Sequence, residues 1–121
     1  MKVKKYDELI VWKKSMELVR AIYLTTNRFP KEESYGLISQ MRRAAVSVVS
    51  NIAEGQGRQS TSEFLHHLSY AHGSLIELET QIRIAEVLGF LETTTTQALL
   101  PMTSEIGRLL NGLRKSLSSR A

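Results

Sequence analysis

Cysteine is absent from the chain, which excludes a disulfide framework, a zinc–thiolate centre and a thiol nucleophile. Only two prolines and an aromatic share of 7% leave few helix breakers and assign the core to Leu, Ile, Val and Ala. No apolar run approaches the ~18 residues of a membrane span. The basic start Met1-Lys2-Val3-Lys4-Lys5 has no apolar segment behind it and is not read as a signal peptide; a cytoplasmic protein without membrane attachment is expected. Strand signals are missing too, because apolar and polar residues nowhere alternate over more than a few positions.

What is present is a 121-residue chain, 42% hydrophobic, the size of one domain able to bury about two thirds of its unfolded surface. The net charge of +4 is unevenly spread. Residues 1–31 hold eight basic and three acidic side chains, residues 93–121 four and one, and residues 61–92 one and five. This reads either as basic helices paired with an acidic one, or as a basic surface that attracts phosphate.

Helical periodicity covers nearly the whole chain. The spacing predicts helices over about 8–27, 33–54, 61–88 and 95–117. In the first, Asp7 is the expected N-cap, and Leu9, Trp12, Met16, Val19 and Tyr23 form an apolar stripe widened by Leu18 and Ile22; Phe29-Pro30 should end it. In the second, Ile38, Met41, Ala45, Val48 and Ile52 share a face. Gln40, Arg43, Ser47, Asn51, Glu54 and Arg58 lie roughly 130° away on a wheel of 3.6 residues per turn. Val46, Val49 and Ala53 add a third apolar strip, which points to more than one packing neighbour. Gly55 and Gly57 are expected to terminate this helix in left-handed conformations.

Ser60-Thr61-Ser62-Glu63 matches a capping box. Phe64, Leu68, Ala71, Leu75, Leu78, Ile82 and Ala85 then alternate spacings of four and three, the period of left-handed bundle packing. Gly73 interrupts this helix and calls for a close neighbour; Gly89 should cap its end. Leu99, Met102, Ile106, Leu109 and Leu113 make the last stripe, with Leu110 and Leu117 beside it. Any of Thr93–Thr96 can start this helix. A start near Thr94 puts Pro101 beyond the first turn, where it kinks; otherwise the regular helix begins near Leu100. The tail 118–121 is expected to fray. Four amphipathic helices with short connections make an all-α, antiparallel up-down-up-down four-helix bundle.

Catalytic constellations are weak. Glu63-Phe64-Leu65-His66 has the Glu-x-x-His spacing of di-iron bundles, but no second copy exists and all three histidines lie on one predicted helix. No metal and no cofactor are expected. Ser47, Ser50, His66 and Glu77 can be assembled into a hydrolytic triad only on paper. Gly55-Gln56-Gly57-Arg58 lacks the strand and the Lys-Ser/Thr ending of a phosphate loop. No enzyme is expected.

The polar residues of the second helix remain. Gln40, Ser47, Asn51, Glu54, Glu77 and Glu79 are assigned to a structural polar network, with Asn51 and Ser47 as interhelical hydrogen-bond partners. Arg42, Arg43 and Arg58 are either register-fixing partners of Glu54, Glu77 or Glu79, or fork donors to phosphate. Candidate nucleic-acid contacts are Lys13, Lys14, Arg20, Arg42, Arg43 and Arg58, with Arg108, Arg114 and Lys115.

A longer pattern runs through the same residues. It begins Leu9-x-x-Trp12, then Phe29-Pro30-x-x-Glu33-x-Tyr35-Gly36-Leu37, Gln40-x-Arg42-Arg43-Ala44, Ser47, Asn51-Ile52-Ala53-Glu54-Gly55 and Arg58. Gly73-Ser74-x-x-Glu77-x-Glu79 and Leu88-Gly89-Phe90-Leu91 complete it. The chain thereby resembles the bacterial four-helix-bundle proteins encoded in intervening sequences of large-subunit ribosomal RNA genes. The resemblance extends to the accessory variability determinant of diversity-generating retroelements. It implies a ring-like homopentamer and, from the retroelement protein, binding of RNA or DNA through basic surface with a reverse transcriptase as protein partner. Two readings follow: a non-enzymatic, oligomeric nucleic-acid-associated protein, or a protein-interaction scaffold that binds no nucleic acid.

Overall fold

The computed structural model describes residues 5–119 and contains four α-helices: α1 (Ile10–Thr26), α2 (Leu37–Gln56), α3 (Thr61–Val87) and α4 (Thr93–Ser118). Each helix packs on its neighbours in the chain, and α1 closes on α4. The diagonal pairs α1/α3 and α2/α4 bring no Cα atoms within 8 Å of each other among the described residues. Residue numbers run in opposite directions across the contacts. Ser47 meets Ser74 while Asn51 meets His67, and Arg114 reaches Ser69 while Gly107 faces Leu75. The fold is an antiparallel four-helix bundle.

The predicted stripe of α3 is buried in full, from Phe64 to Ala85, as are Ile38, Met41, Ala45, Val48 and Ile52 of α2. On α1 and α4 the buried face is turned from the predicted one. Val11, Ser15, Leu18, Ile22 and Thr26 line the core from α1, leaving Met16 and Tyr23 over 40% exposed. Thr96, Leu99, Thr103, Ile106, Leu110 and Leu117 do so from α4. The cause is the hydroxyl side chains. Ser15 Oγ donates to Val11 O at 2.7 Å, Thr26 Oγ1 to Ile22 O at 2.7 Å, and Thr103 Oγ1 to Leu100 O at 2.9 Å. A hydroxyl satisfied by its own helix buries at little cost. Centring the face on Leu18 and Ile22 gains about 1.5–3 kcal/mol per side chain, and that term wins.

Several helix ends also differ from expectation. Asp7 does not cap α1; it lies in a 3₁₀ turn, Tyr6–Glu8, whose Tyr6 ring packs edge-on against Trp12 at 5.5 Å, and the extended Leu9 is the N-cap. Helix α2 starts at Leu37 rather than 33, because Lys31–Glu33 forms a second 3₁₀ turn. There the Glu33 carboxylate accepts from Leu37 N at 3.1 Å, in place of an N-cap side chain. Ser60 caps α3 as expected, its Oγ accepting from Glu63 N at 3.1 Å. Gly89, with φ +81°, ends α3, with Phe90 N on Ala85 O at 2.9 Å and Gly89 N on Glu86 O at 3.0 Å, the pairing of a Schellman motif.

Gly89 is also the one described residue with positive φ, so neither Gly55 nor Gly57 ends α2 by a left-handed turn. Gly57 stays right-handed, and Gly55 is inside the helix and buried. Gly73, expected to need a close neighbour, has nothing within 4 Å of an added Cβ in the single chain. Helix α4 is continuous from Thr93 through Pro101, with Glu92 as N-cap; it does not begin near Leu100. It stays helical through Ser118, so fraying does not start there, and the rest of that expectation, at Arg120 and Ala121, lies outside the described residues.

Candidate nucleic-acid interface

The register of α2 against α3 decides which polar side chains meet. Gly55 sets the separation: a Cβ added there would lie 2.7 Å from His67 Cβ and 2.9 Å from Phe64 Cδ1. From this contact the helices run antiparallel with a polar seam between them. His67 Nδ1 lies 3.7 Å from Glu54 Oε2 and 3.1 Å from Asn51 Oδ1. Asn51 Nδ2 donates to Ser47 O at 2.9 Å and Ser47 Oγ at 3.2 Å, and Ser47 Oγ meets Ser74 Oγ at 2.8 Å. Because Asn51 donates to Ser47 through its amide nitrogen, its Oδ1 is an acceptor, and His67 Nδ1 carries the proton.

Further along, Gln81, itself buried, donates through Nε2 to Glu77 Oε2 at 3.2 Å. Between the Ser47–Ser74 contact and Gln81 the seam opens into a groove of about 320 Å³ lined by Gln40, Arg43, Ala44, Ser47, Ser74 and Glu77. The structure thus gathers Gln40, Ser47, Asn51, Glu54 and Glu77 along one seam. Glu79 makes no hydrogen bond or ion pair among the described residues.

Three members were missing from the sequence reading: His67, Ser74 and Gln81. Their signal is in the chain. They recur at seven-residue steps on α3, antiparallel to Gln40, Ser47 and Glu54 at seven-residue steps on α2.

The arginines divide. Arg42 pairs with no glutamate. Its Nε donates to Thr26 Oγ1 at 2.9 Å and its Nη2 to Asn27 Oδ1 at 2.9 Å, while the guanidinium carbon stands 4.4 Å from the Tyr23 ring centroid. It clasps the C-terminal end of α1, where a cation is favoured by the helix dipole. Arg43 and Arg58 are exposed, and neither forms an ion pair with Glu54, Glu77 or Glu79. Lys14 lies 3.8 Å from Glu105 of α4, and Arg114 donates to Ser69 at 3.4 Å. Lys13, Arg20, Arg108 and Lys115 have no ion pair or side-chain hydrogen bond among the described residues.

Charge follows topology. Arg83 is the one Lys or Arg of α3, against Glu63, Glu77, Glu79 and Glu86, whereas α1 carries Lys13, Lys14 and Arg20 against Glu17, and α4 Arg108, Arg114 and Lys115 against Glu105. The acidic helix stands diagonally opposite α1, and among the described residues none of its glutamates pairs with a Lys or Arg. Basic residues thus stand on two adjoining helices, α1 and α4, and among the described residues the one side-chain hydrogen bond from them to α3 is Arg114 on Ser69.

No group of three or more His, Asp or Glu is placed to hold a metal among the described residues. Glu63 supplies its backbone N–H to the Ser60 cap. No described helix is long and apolar enough to cross a membrane.

Comparison with known proteins gives a family. The model of the 23S rRNA-intervening sequence proteins matches residues 7–112. A crystal structure of a protein with unknown function from the S23 ribosomal protein family of Bacteroides thetaiotaomicron VPI-5482 superposes with a TM-score of 0.80. It is 23% identical, over 93% of this chain and 99% of that one. No curated protein matches.

Proposed function

The chain belongs to the family of 23S rRNA-intervening sequence proteins, and from that premise we propose that it is a non-enzymatic bundle that associates with RNA through the basic surface of α1 and α4. The observation that carries this reading is that Lys13, Arg20, Arg108 and Lys115, on the adjoining helices α1 and α4, form no ion pair among the described residues, with acidic α3 across the bundle from α1. Such contacts go to phosphate, so they give affinity with little sequence preference. Lys14 of α1 faces Glu105 of α4 and Arg114 of α4 reaches Ser69 of α3, Arg42 serves the α1–α2 junction, and Arg43 and Arg58 add basic residues on α2 and the turn after it.

A homopentamer is the assembly we propose with it. Helix α3 supports assembly: besides its buried stripe it exposes Tyr70, Ile76, Ile84 and Val87, with Leu88 exposed at its C-cap, and a helix that is apolar on two sides is suited to burial on both. The same exposed apolar residues favour the second reading, a scaffold for another protein. Titration of labelled single-stranded RNA against the wild type and a Lys13→Glu/Arg20→Glu variant separates the two. The RNA reading expects at least a tenfold loss in the variant; equal affinity overturns the site. Light-scattering mass on the same samples should give about five times the 13.7 kDa chain, and a monomer overturns the assembly.

A further inference from the structure

The seam between α2 and α3 is a ladder with one open rung. Glu54 stands by His67, and Ser47 bonds Ser74. One turn further on, the same antiparallel register sets Arg43 against Glu77. Both line the groove of about 320 Å³, yet no ion pair closes between them. Arg43 has no protein acceptor among the described residues. Glu77 takes one donor, Gln81 Nε2 on its Oε2, which orients the carboxylate and leaves Oε1 and one lone pair of Oε2 without a protein donor among the described residues. Gln81 is about 4% exposed and its own Oε1 has no partner, so the carboxylate is held by a side chain with little room to move.

A guanidinium offers only donors and a carboxylate only acceptors. A ligand bridging this rung must present adjacent acceptors on one edge and adjacent donors on another. Among the four RNA bases guanine alone meets both demands. Its O6 and N7 accept from a guanidinium fork, and its N1–H and N2–H₂ donate to a carboxylate. Adenine and cytosine each present a single exocyclic amine beside an acceptor, and uracil one imino N–H between two carbonyls. The buried Ala44 provides an apolar floor, and the Ser47 and Ser74 hydroxyls close one end.

We propose that the groove between α2 and α3 takes up one unpaired guanine of a bound single-stranded RNA, with Arg43 on the O6/N7 edge and Glu77 on the N1/N2 edge. The proposal rests on the RNA reading above and adds base preference to it. Single strands are read in this way, through splayed bases and their edges. Arg43 also lines a second groove across α2, with Tyr23, Ile38 and Val46, which gives the strand a route from the guanine toward α1.

The test uses labelled nonamers of uridine whose central position is uridine, guanosine, inosine or 7-deazaguanosine, titrated against the full chain by fluorescence anisotropy. Inosine lacks the N2 amine and 7-deazaguanosine lacks N7. The wild type is expected to bind the guanosine oligomer about tenfold more tightly than the uridine one, with most of that gain lost for both analogues. Glu77→Gln should bind guanosine and inosine equally, and Arg43→Met, which has no donor, should bind guanosine and 7-deazaguanosine equally, each keeping its helical circular dichroism. Equal wild-type affinity for all four oligomers, still weakened by salt, overturns the guanine site while leaving the RNA reading intact. Discrimination unchanged in Glu77→Gln also overturns it. Absence of binding to every oligomer overturns both.

Discussion

Gly55 is where α2 and α3 come closest, and two opposing terms decide what a methyl group does there. Alanine gains up to about 1 kcal/mol of helix propensity over glycine. Its Cβ would stand 2.7 Å from His67 Cβ and 2.9 Å from Phe64 Cδ1, and relieving such an overlap costs about 1–3 kcal/mol. Gly55→Ala is therefore expected to lower the urea midpoint. Gly73→Ala, whose Cβ meets nothing within 4 Å in the single chain, is expected to raise it by the propensity term. The pair, measured side by side, separates a packing glycine from an open one. Arg42 is the second such residue. It satisfies Thr26 and Asn27 and covers Tyr23, and hydrogen bonds from a charged group are worth about 1.5–3 kcal/mol. Arg42→Ala should lose about that much stability, and Arg42→Lys should recover little, because an ammonium lacks the planar fork.

Among the helices, α4 carries the clearest local conflict. Pro101 sits inside Thr93–Ser118, exposed to solvent. It can donate nothing to the carbonyl four residues back, and such a position costs about 3 kcal/mol or more. The helix forms regardless because Leu99, Ile106 and Leu110 are anchored in the core on both sides of it. Pro101→Ala is expected to raise the thermal midpoint with no change in fold, and a fall would mean that the proline fits a bend the bundle needs.

The helices show how far a sequence can be read. Pattern alone located α3 almost to the residue, because its stripe is purely apolar and its ends carry Ser60 and Gly89. On α1 and α4 the same method chose a face turned from the true one. Ser15, Thr26 and Thr103 look polar in sequence and become core residues once their hydroxyls bond to their own helix. Helix starts set by 3₁₀ turns, at Leu9 and Gly36, have no side-chain cap to announce them. For the polar seam, the α2 half was legible from its row of Gln, Ser and Asn. The α3 half was hidden because His67, Ser74 and Gln81 are single polar residues on the flank of an apolar helix, and only pairing with α2 gives them a role.

For the molecule as a whole, the order of helices around the bundle matters more than net charge. Acidic α3 stands across the bundle from basic α1 and beside basic α4, and among the described residues its glutamates pair with no Lys or Arg of either. The central claim is that this segregated charge binds RNA by displacing counterions. The most direct measurement is the dissociation constant for a single-stranded RNA over a salt series from 50 to 200 mM, scales on which phosphate-driven binding weakens steeply. The account predicts a straight line in log affinity against log salt, with a slope of about −0.7 for each phosphate contact, that flattens in Lys13→Glu/Arg20→Glu. Binding that does not change with salt, or a slope unaltered by that variant, would contradict it.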